Sequence, residues 1–212
     1  ESVGFKMSEN HSFYNCNFIL SQCNSMPLCI GIDGMGGSGK STFSEQLAQA
    51  FQKQHIPVSV FHLDDFIHPR SVRYDTRFSE WENYYYRQWR YDDFIKTVLL
   101  PFRNGIETPQ SIPLYDKETD TYYTQTVVLP VHGVLIAEGV FLQRAPLKNQ
   151  FDKIIYLSVP ESVRLNRVLQ RDTYIGTAQQ IIEKYENRYF PAERHYLAKH
   201  HPEQTADFLI QD

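Results

Sequence analysis

Long apolar runs are missing from this chain of 212 residues. No stretch reaches the ~18 apolar residues that span a bilayer. Glu1 to Asn10 is polar and has no apolar core of the kind a secretory leader carries. A strong charge imbalance is missing too: 21 Lys and Arg face 25 Asp and Glu, a net of −4. With no long basic block, nucleic acid is disfavoured as the main ligand. Cysteine is scarce. Cys16, Cys23 and Cys29 are unevenly spaced and form no C-x-x-C, which argues against zinc, redox and disulfide frameworks and for a reducing, cytoplasmic setting. Neither a membrane nor a nucleic acid is expected as partner; a homo-oligomer is compatible with this composition.

Glycine is sparse as well, ten in all, yet four of them stand at positions 34, 36, 37 and 39. They belong to G-x-x-x-x-G-K-S, which runs from Gly34 to Ser41. This spacing suits a loop that wraps a string of phosphates. Glycines let the backbone take positive φ and approach an anion closely, so that successive N–H groups point inward. The residues expected to hold ATP are Gly34, Met35, Gly36, Gly37, Ser38, Gly39, Lys40, Ser41 and Thr42. Lys40 reaches for the β- and γ-phosphates, and the Ser41 hydroxyl sits on Mg2+. The apolar run Leu28–Ile32 before the loop reads as a buried parallel strand, and Ser41–Gln54 after it reads as a helix with Phe43, Leu47, Ala50 and Phe51 on one side. The bland alternative, a flexible Gly/Ser turn with a chance GKS, does not explain those flanks.

Four more strands are expected: 57–63, 133–141, 153–159 and 206–210. The first ends at Asp64-Asp65, where α/β sheets place ligands and catalytic groups. Asp64 is read as the base that accepts a hydroxyl proton, and Asp65 as the capping residue at the edge of the acceptor site. The strand 133–141 carries Glu138, the second carboxylate that a phosphate loop needs near Mg2+. Pro160 opens a helix with Arg164, Arg167 and Arg171 at i, i+3 and i+7, one face by spacing. Such a row can close over a triphosphate: Arg164 is expected to bind it, and Arg167 and Arg171 to neutralise transition-state charge. The alternative is a solvated face paired with Glu161 and Asp172.

Between these strands, 67–130 reads as the acceptor region. Residues 74–91 are dense in aromatics, of which Tyr84, Trp89 and the neighbouring Arg87 are candidates to meet a planar or sugar-like acceptor, while most of the rest are expected to pack. A helix over 92–104, bent at Pro101, is followed by a β-hairpin over 108–130 that brings Tyr115. His195, His200 and His201 lack partners at metal-ligand spacing and read as a solvated face. The chain is thus expected to be one α/β domain over 1–212, with a helical extension at 1–26 and a lid at 160–176.

In order, G-x-x-G-S-G-K-S, the strand ending in Asp64, Ile112-Pro113-Leu114-Tyr115-Asp116, Ala137-Glu138-Gly139-Val140, the arginine-rich 164–172 and Ala206-Asp207 resemble the uridine kinase/phosphoribulokinase family. The resemblance covers about 28–210. It implies a three-layer α/β fold with a five-stranded parallel core sheet, and ATP-dependent phosphorylation of a hydroxyl on a small metabolite such as a nucleoside. The family's uridine kinases follow the Tyr-Asp turn with a histidine; here Asp120 stands near that place. Nicotinamide riboside and pantothenate kinases look similar at the same level. A switch GTPase would need N-K-x-D, which is absent. A non-catalytic nucleotide-binding module would have lost Lys40, Ser41, Asp64 or Glu138, and all four are present.

Overall fold

The computed structural model describes residues 3–6, 9–23 and 25–211. Six strands form one parallel sheet: β1 (Val3–Lys6), β2 (Leu28–Gly34), β3 (Val58–His62), β6 (Val134–Gly139), β7 (Lys153–Ser158) and β8 (Phe208–Gln211), in the spatial order β1-β8-β7-β2-β6-β3. The five expected strands are its core. β1 is a correction to the reading of 1–26 as purely helical: Val3 pairs with Phe208 and Lys6 with Gln211, and only then does α1 (Glu9–Gln22) begin. Four residues are too few to show a period-2 pattern, and this strand forms because β8 offers it an open edge.

The central strands β2 and β6 are buried along their whole length, as parallel strands covered on both faces must be. Successive side chains go to opposite faces. Ile30 and Ile32 join Phe43, Leu47 and Phe51 of α2 (Lys40–Lys53) and Cys16 and Ile19 of α1 in one core. Cys29, Leu135, Ala137 and Tyr156 join a second core on the other face, with Tyr85, Phe94, Phe102, Phe141 and Tyr196. The result is three layers, helix–sheet–helix.

The second face is supplied by three helices: α3 (Glu80–Arg87), α4 (91–103) and α6 (178–200). Between the last two in sequence lies α5 (Glu161–Arg171). α3 starts at a capping box in which Ser79 and Glu82 bond each other's backbone N–H. Both α4 and α6 contain one π-helical turn, Ile95–Leu99 and Tyr185–Tyr189. In each case a proline follows closely, Pro101 and Pro191. Proline has no N–H for the i−4 carbonyl, and the widened turn just before it lets Leu100 donate to Ile95 and Phe190 to Tyr185. The bend expected at Pro101 takes this form. The hairpin β4 (Gln110–Asp116) and β5 (Thr121–Val127) stands as its own antiparallel pair, with Tyr115 opposite Tyr122. Among the described residues no helix is long and apolar enough to cross a membrane.

Candidate active site

The adjacent strands β2, β6 and β3 converge on the site at their carboxyl ends. Register sets Glu138 beside Ile32 on one side and His62 on the other. The loop Met35–Gly39 leaves β2 and enters α2, whose N-terminal partial charge faces it. Gly39 precedes α2 in the left-handed conformation, φ 89°, and Gly37 has φ 79°. Without side chains these positions tolerate what other residues would resist.

Glu138 is the hub of this end of the sheet. Its Oε1 accepts from Ser41 Oγ at 3.1 Å and lies 2.6 Å from His62 Nδ1. Burial pushes the Glu138 carboxyl up, but the His62 bond, the Lys40 charge and the Ser41 bond outweigh it and hold the group below its ordinary value. The same bond raises His62, against the opposing effect of its partial burial. Lys40 Nζ donates to the Met35 carbonyl at 3.0 Å, folded across its own loop. Among the described residues no cluster of three or more His, Cys, Asp or Glu forms a metal cage. A carboxylate and a hydroxyl beside a phosphate loop suit Mg2+, which keeps most of its shell as water and phosphate oxygen.

Asp64 follows β3 in a short 3-10 turn and is exposed, with its Oδ1 accepting from Trp89 Nε1 at 3.4 Å. Asp65, half-buried, is raised by burial. It lines a cavity of about 240 Å³ with Phe61 of β3 and Ile112, Leu114 and Gln125 of the hairpin. Tyr115 is buried; its hydroxyl donates to Asp120 Oδ1 at 2.7 Å and accepts from Arg73 at 2.8 Å. Asp120 also takes the Arg70 N–H, so it fastens the hairpin to residues 70–73. Tyr84 is buried in an aromatic cluster with Trp89, Phe141 and Tyr189, at centroid distances of 5.1, 5.6 and 4.7 Å. Arg87 pairs with Asp75 and lies over Phe78, 4.5 Å from its ring centroid.

The three arginines of α5 do not share one environment, contrary to the single face that their spacing suggests. Arg164 is buried, donating to the carbonyls of Val159 and Gly36 and pairing with Glu193 at 3.0 Å. Arg167 is exposed, with Nη1 3.4 Å from the Gly37 carbonyl. Arg171 makes a two-pronged contact with Asp172, whose Oδ2 also accepts from Tyr185. The cause is the loop: α5 packs against Gly37 through Arg164 and Val168, which draws that edge of the helix inward.

Four groups that the sequence reading passed over complete the frame: His62, Asp33, Glu193 and Tyr196. Asp33 is fully buried at the end of β2 and accepts from the N–H of Gly34 and Leu142, from Gln143 Nε2 and from Tyr196 Oη. Burial raises its carboxyl, and the Tyr196, Leu142 and Gln143 bonds oppose that rise. Glu193 accepts the Gly36 N–H at 3.1 Å. His62 and Asp33 were within reach of the sequence, flanking the two strand ends already identified. Glu193 and Tyr196 had no local signal, since Gly36 and Asp33, which they bond, lie over 150 residues away.

A glycine-rich loop on the middle strand, a carboxylate on its neighbour and a second carboxylate after the edge strand together define a P-loop kinase. The family model described as "Phosphoribulokinase / Uridine kinase family" matches residues 29–212, and the chain belongs to that family. The uridine kinase of Staphylococcus carnosus (strain TM300) is 26% identical over 189 residues, covering 86% of each chain. A solved structure from Bacillus stearothermophilus, described as a possible uridine kinase, is 34% identical with a TM-score of 0.79, over 96% of this chain and 100% of that one. D-glycerate 3-kinase from Cryptococcus neoformans shares the fold at 16% identity, TM-score 0.70, over 96% of each. The chain is accordingly an ATP-dependent phosphotransferase with a hydroxyl acceptor.

Proposed function

We propose that this kinase transfers the γ-phosphoryl group of ATP to a hydroxyl of a nucleoside or a closely related small alcohol. The observation that carries the reading is the Ser41–Glu138–His62 chain, which runs from the phosphate-loop motif across β6 to the end of β3, just before Asp64. Backbone N–H groups of the loop and of the start of α2 bind the phosphates, apart from those of Gly34 and Gly36, which Asp33 and Glu193 hold. Lys40 exchanges the Met35 carbonyl for the β- and γ-oxygens. Ser41 Oγ and Glu138 would hold Mg2+, which would neutralise charge on the transferring phosphates. Asp64 Oδ takes the proton of the acceptor hydroxyl as its oxygen bonds to γ-phosphorus and the bond to the β-bridging oxygen breaks, leaving ADP. Trp89 orients that carboxylate through its indole N–H.

Arg167 and Arg171 meet the charge developing on the transferred group. Arg164 contributes to nucleotide binding from beneath the loop, by holding the Gly36 carbonyl. Asp65, Trp89 and Tyr115 border the acceptor, with Tyr84 and Arg87 supporting them from behind. Beside Met35, a cavity of about 450 Å³ lined by Ser158, Val159, Glu161, Arg164 and Glu203 is large enough for the base and sugar of a nucleotide.

The test is ADP release with Mg·ATP and a panel of uridine, cytidine, nicotinamide riboside and pantothenate. One nucleoside should stimulate release strongly, and Asp64→Asn should lower turnover by about 10²-fold or more with little change in ATP affinity. Nucleotide binding without stimulation by any of these alcohols would refute the acceptor class. Near-normal turnover in Asp64→Asn would refute the base.

A further inference from the structure

The Gly36 peptide is held from both sides. Its N–H goes to Glu193 Oε1 at 3.1 Å and its carbonyl accepts from Arg164 Nη1 at 2.9 Å. The two side chains that hold it also hold each other, at 3.0 Å, with 5% and 2% of their side-chain surfaces exposed. Three contacts thus close a ring through one peptide of the phosphate loop. The ring draws on three elements: the loop after β2, α5 and α6.

An ion pair this deeply buried is an inefficient stabiliser. Desolvating two charges offsets most of their attraction, and packed apolar residues would serve as well. Position is what an apolar pair could not supply. A carboxylate oxygen and a guanidinium N–H fix the plane of a peptide by hydrogen-bond geometry, and the Gly36 plane sets how the following N–H groups face a phosphate. A Cβ at Gly36 would make only an ordinary contact with Glu193 Oε1, at 3.6 Å, so hydrogen bonds and not close approach hold this peptide. One turn further along α6, Tyr196 donates to Asp33 Oδ2 at 2.6 Å, while Asp33 Oδ1 takes the Gly34 N–H at 2.9 Å. The same helix therefore holds Gly36 directly and Gly34 through Asp33.

We propose that Glu193 is a positioning residue for nucleotide binding, acting with Arg164 through the Gly36 peptide. The inference rests on the reading of the loop as a nucleotide site. It concerns the donor half alone, so its test needs no acceptor.

Calorimetric titration of the full chain with Mg·ADP reads the dissociation constant, and the stoichiometry separately reports the folded fraction. Glu193→Ala should weaken ADP about tenfold or more, as expected when a charge-assisted hydrogen bond is lost and its buried partner orphaned. Glu193→Gln should recover most of that loss, because its amide oxygen still accepts the Gly36 N–H. Arg164→Lys, which keeps the charge but loses the fork, should weaken ADP and serves as the second probe if Glu193→Ala does not fold. Phe102→Leu, a fully buried change in α4, should lower the melting temperature and leave ADP affinity intact.

Unchanged affinity in Glu193→Ala overturns the proposal. Tighter binding overturns it too and makes the carboxylate a competitor of phosphate for the Gly36 N–H. A Glu193→Gln variant as weak as Glu193→Ala assigns the effect to the charge on Arg164 and not to the peptide. Loss of affinity in Phe102→Leu would reduce the effect to general loosening. A wild-type chain that does not bind ADP at all refutes the nucleotide reading itself, and the inference falls with it.

Discussion

Gly37→Ala and Gly39→Ala impose nearly the same backbone demand and quite different steric ones. Both positions have left-handed φ, 79° and 89°. A Cβ in that region costs ~1–2 kcal/mol, which at ~2–4 °C per kcal/mol for a chain of this size lowers the melting temperature by ~2–8 °C. At Gly39 the cost ends there, because nothing lies within 4 Å of the added atom. At Gly37 the new Cβ would stand 3.0 Å from both the Arg164 carbonyl and Val168 Cγ1. Backbone cannot step aside as a flexible side chain can, so α5 must move off the loop. Overpacking of this kind adds ~1–3 kcal/mol, a further ~2–12 °C. The displacement also takes Arg164 and Arg167 away from the carbonyls of Gly36 and Gly37. Thermal melting with and without Mg·ADP is the assay. Gly37→Ala should melt well below Gly39→Ala and gain less from ADP. If the two melt together, or Gly39→Ala is the less stable, then α5 is not seated on the loop through this contact and the reasoning fails.

Lys40→Ala should remove most ATP-dependent turnover while leaving the melting temperature nearly unchanged, because Nζ donates to the Met35 carbonyl of its own loop; a large fall in melting temperature would show that the bond is structural. Glu138→Gln should raise the Mg2+ concentration needed for half-maximal turnover by about tenfold or more, since a neutral amide is a poorer partner for a divalent cation; an unaltered Mg2+ requirement would take Glu138 out of the metal site.

The phosphate-loop motif and the strand and helix that flank it were legible in the sequence because their signals are local. Gly34 to Thr42 sits between an apolar run and an apolar stripe, and each can be read within a dozen residues. The placement of Glu138 and Asp64 at strand ends was legible because each ends such a run. The hairpin was bounded by its own polar turn, and its strands fall within three residues of the expected limits, 108 and 130. The helix Glu80–Arg87 had a signal that went unused: Ser79-x-x-Glu82 is a capping box, hidden in a stretch whose crowded aromatics mask any period. What could not be read depends on register and on long-range packing. His62 meets Glu138 only because β3 and β6 pair in one register, 76 residues apart. The spacing of Arg164, Arg167 and Arg171 is a correct statement about helix geometry. It says nothing of which edge of the helix is drawn against the loop.

The helix α6 explains why those long-range contacts belong together. Tyr185, in its π turn, donates to Asp172 next to Arg171. Arg188, fully buried, bonds the carbonyls of Arg73 and Glu80 and the side chains of Glu80 and Gln88, all within the segment proposed to meet the acceptor. Glu193 and Tyr196 then reach Gly36 and Asp33. An unbroken α-helix advances 100° per residue, and inserting one π turn shifts the phase of everything beyond it. Tyr185 and Arg188 precede the end of that turn, and Glu193 and Tyr196 follow it. The widened turn required by Pro191 thus sets the angle between the residues that hold the arginine helix and acceptor segment and those that hold the loop. The phosphate-loop motif and the 73–88 segment are thus referred to one helix, and its widened turn sets their relation.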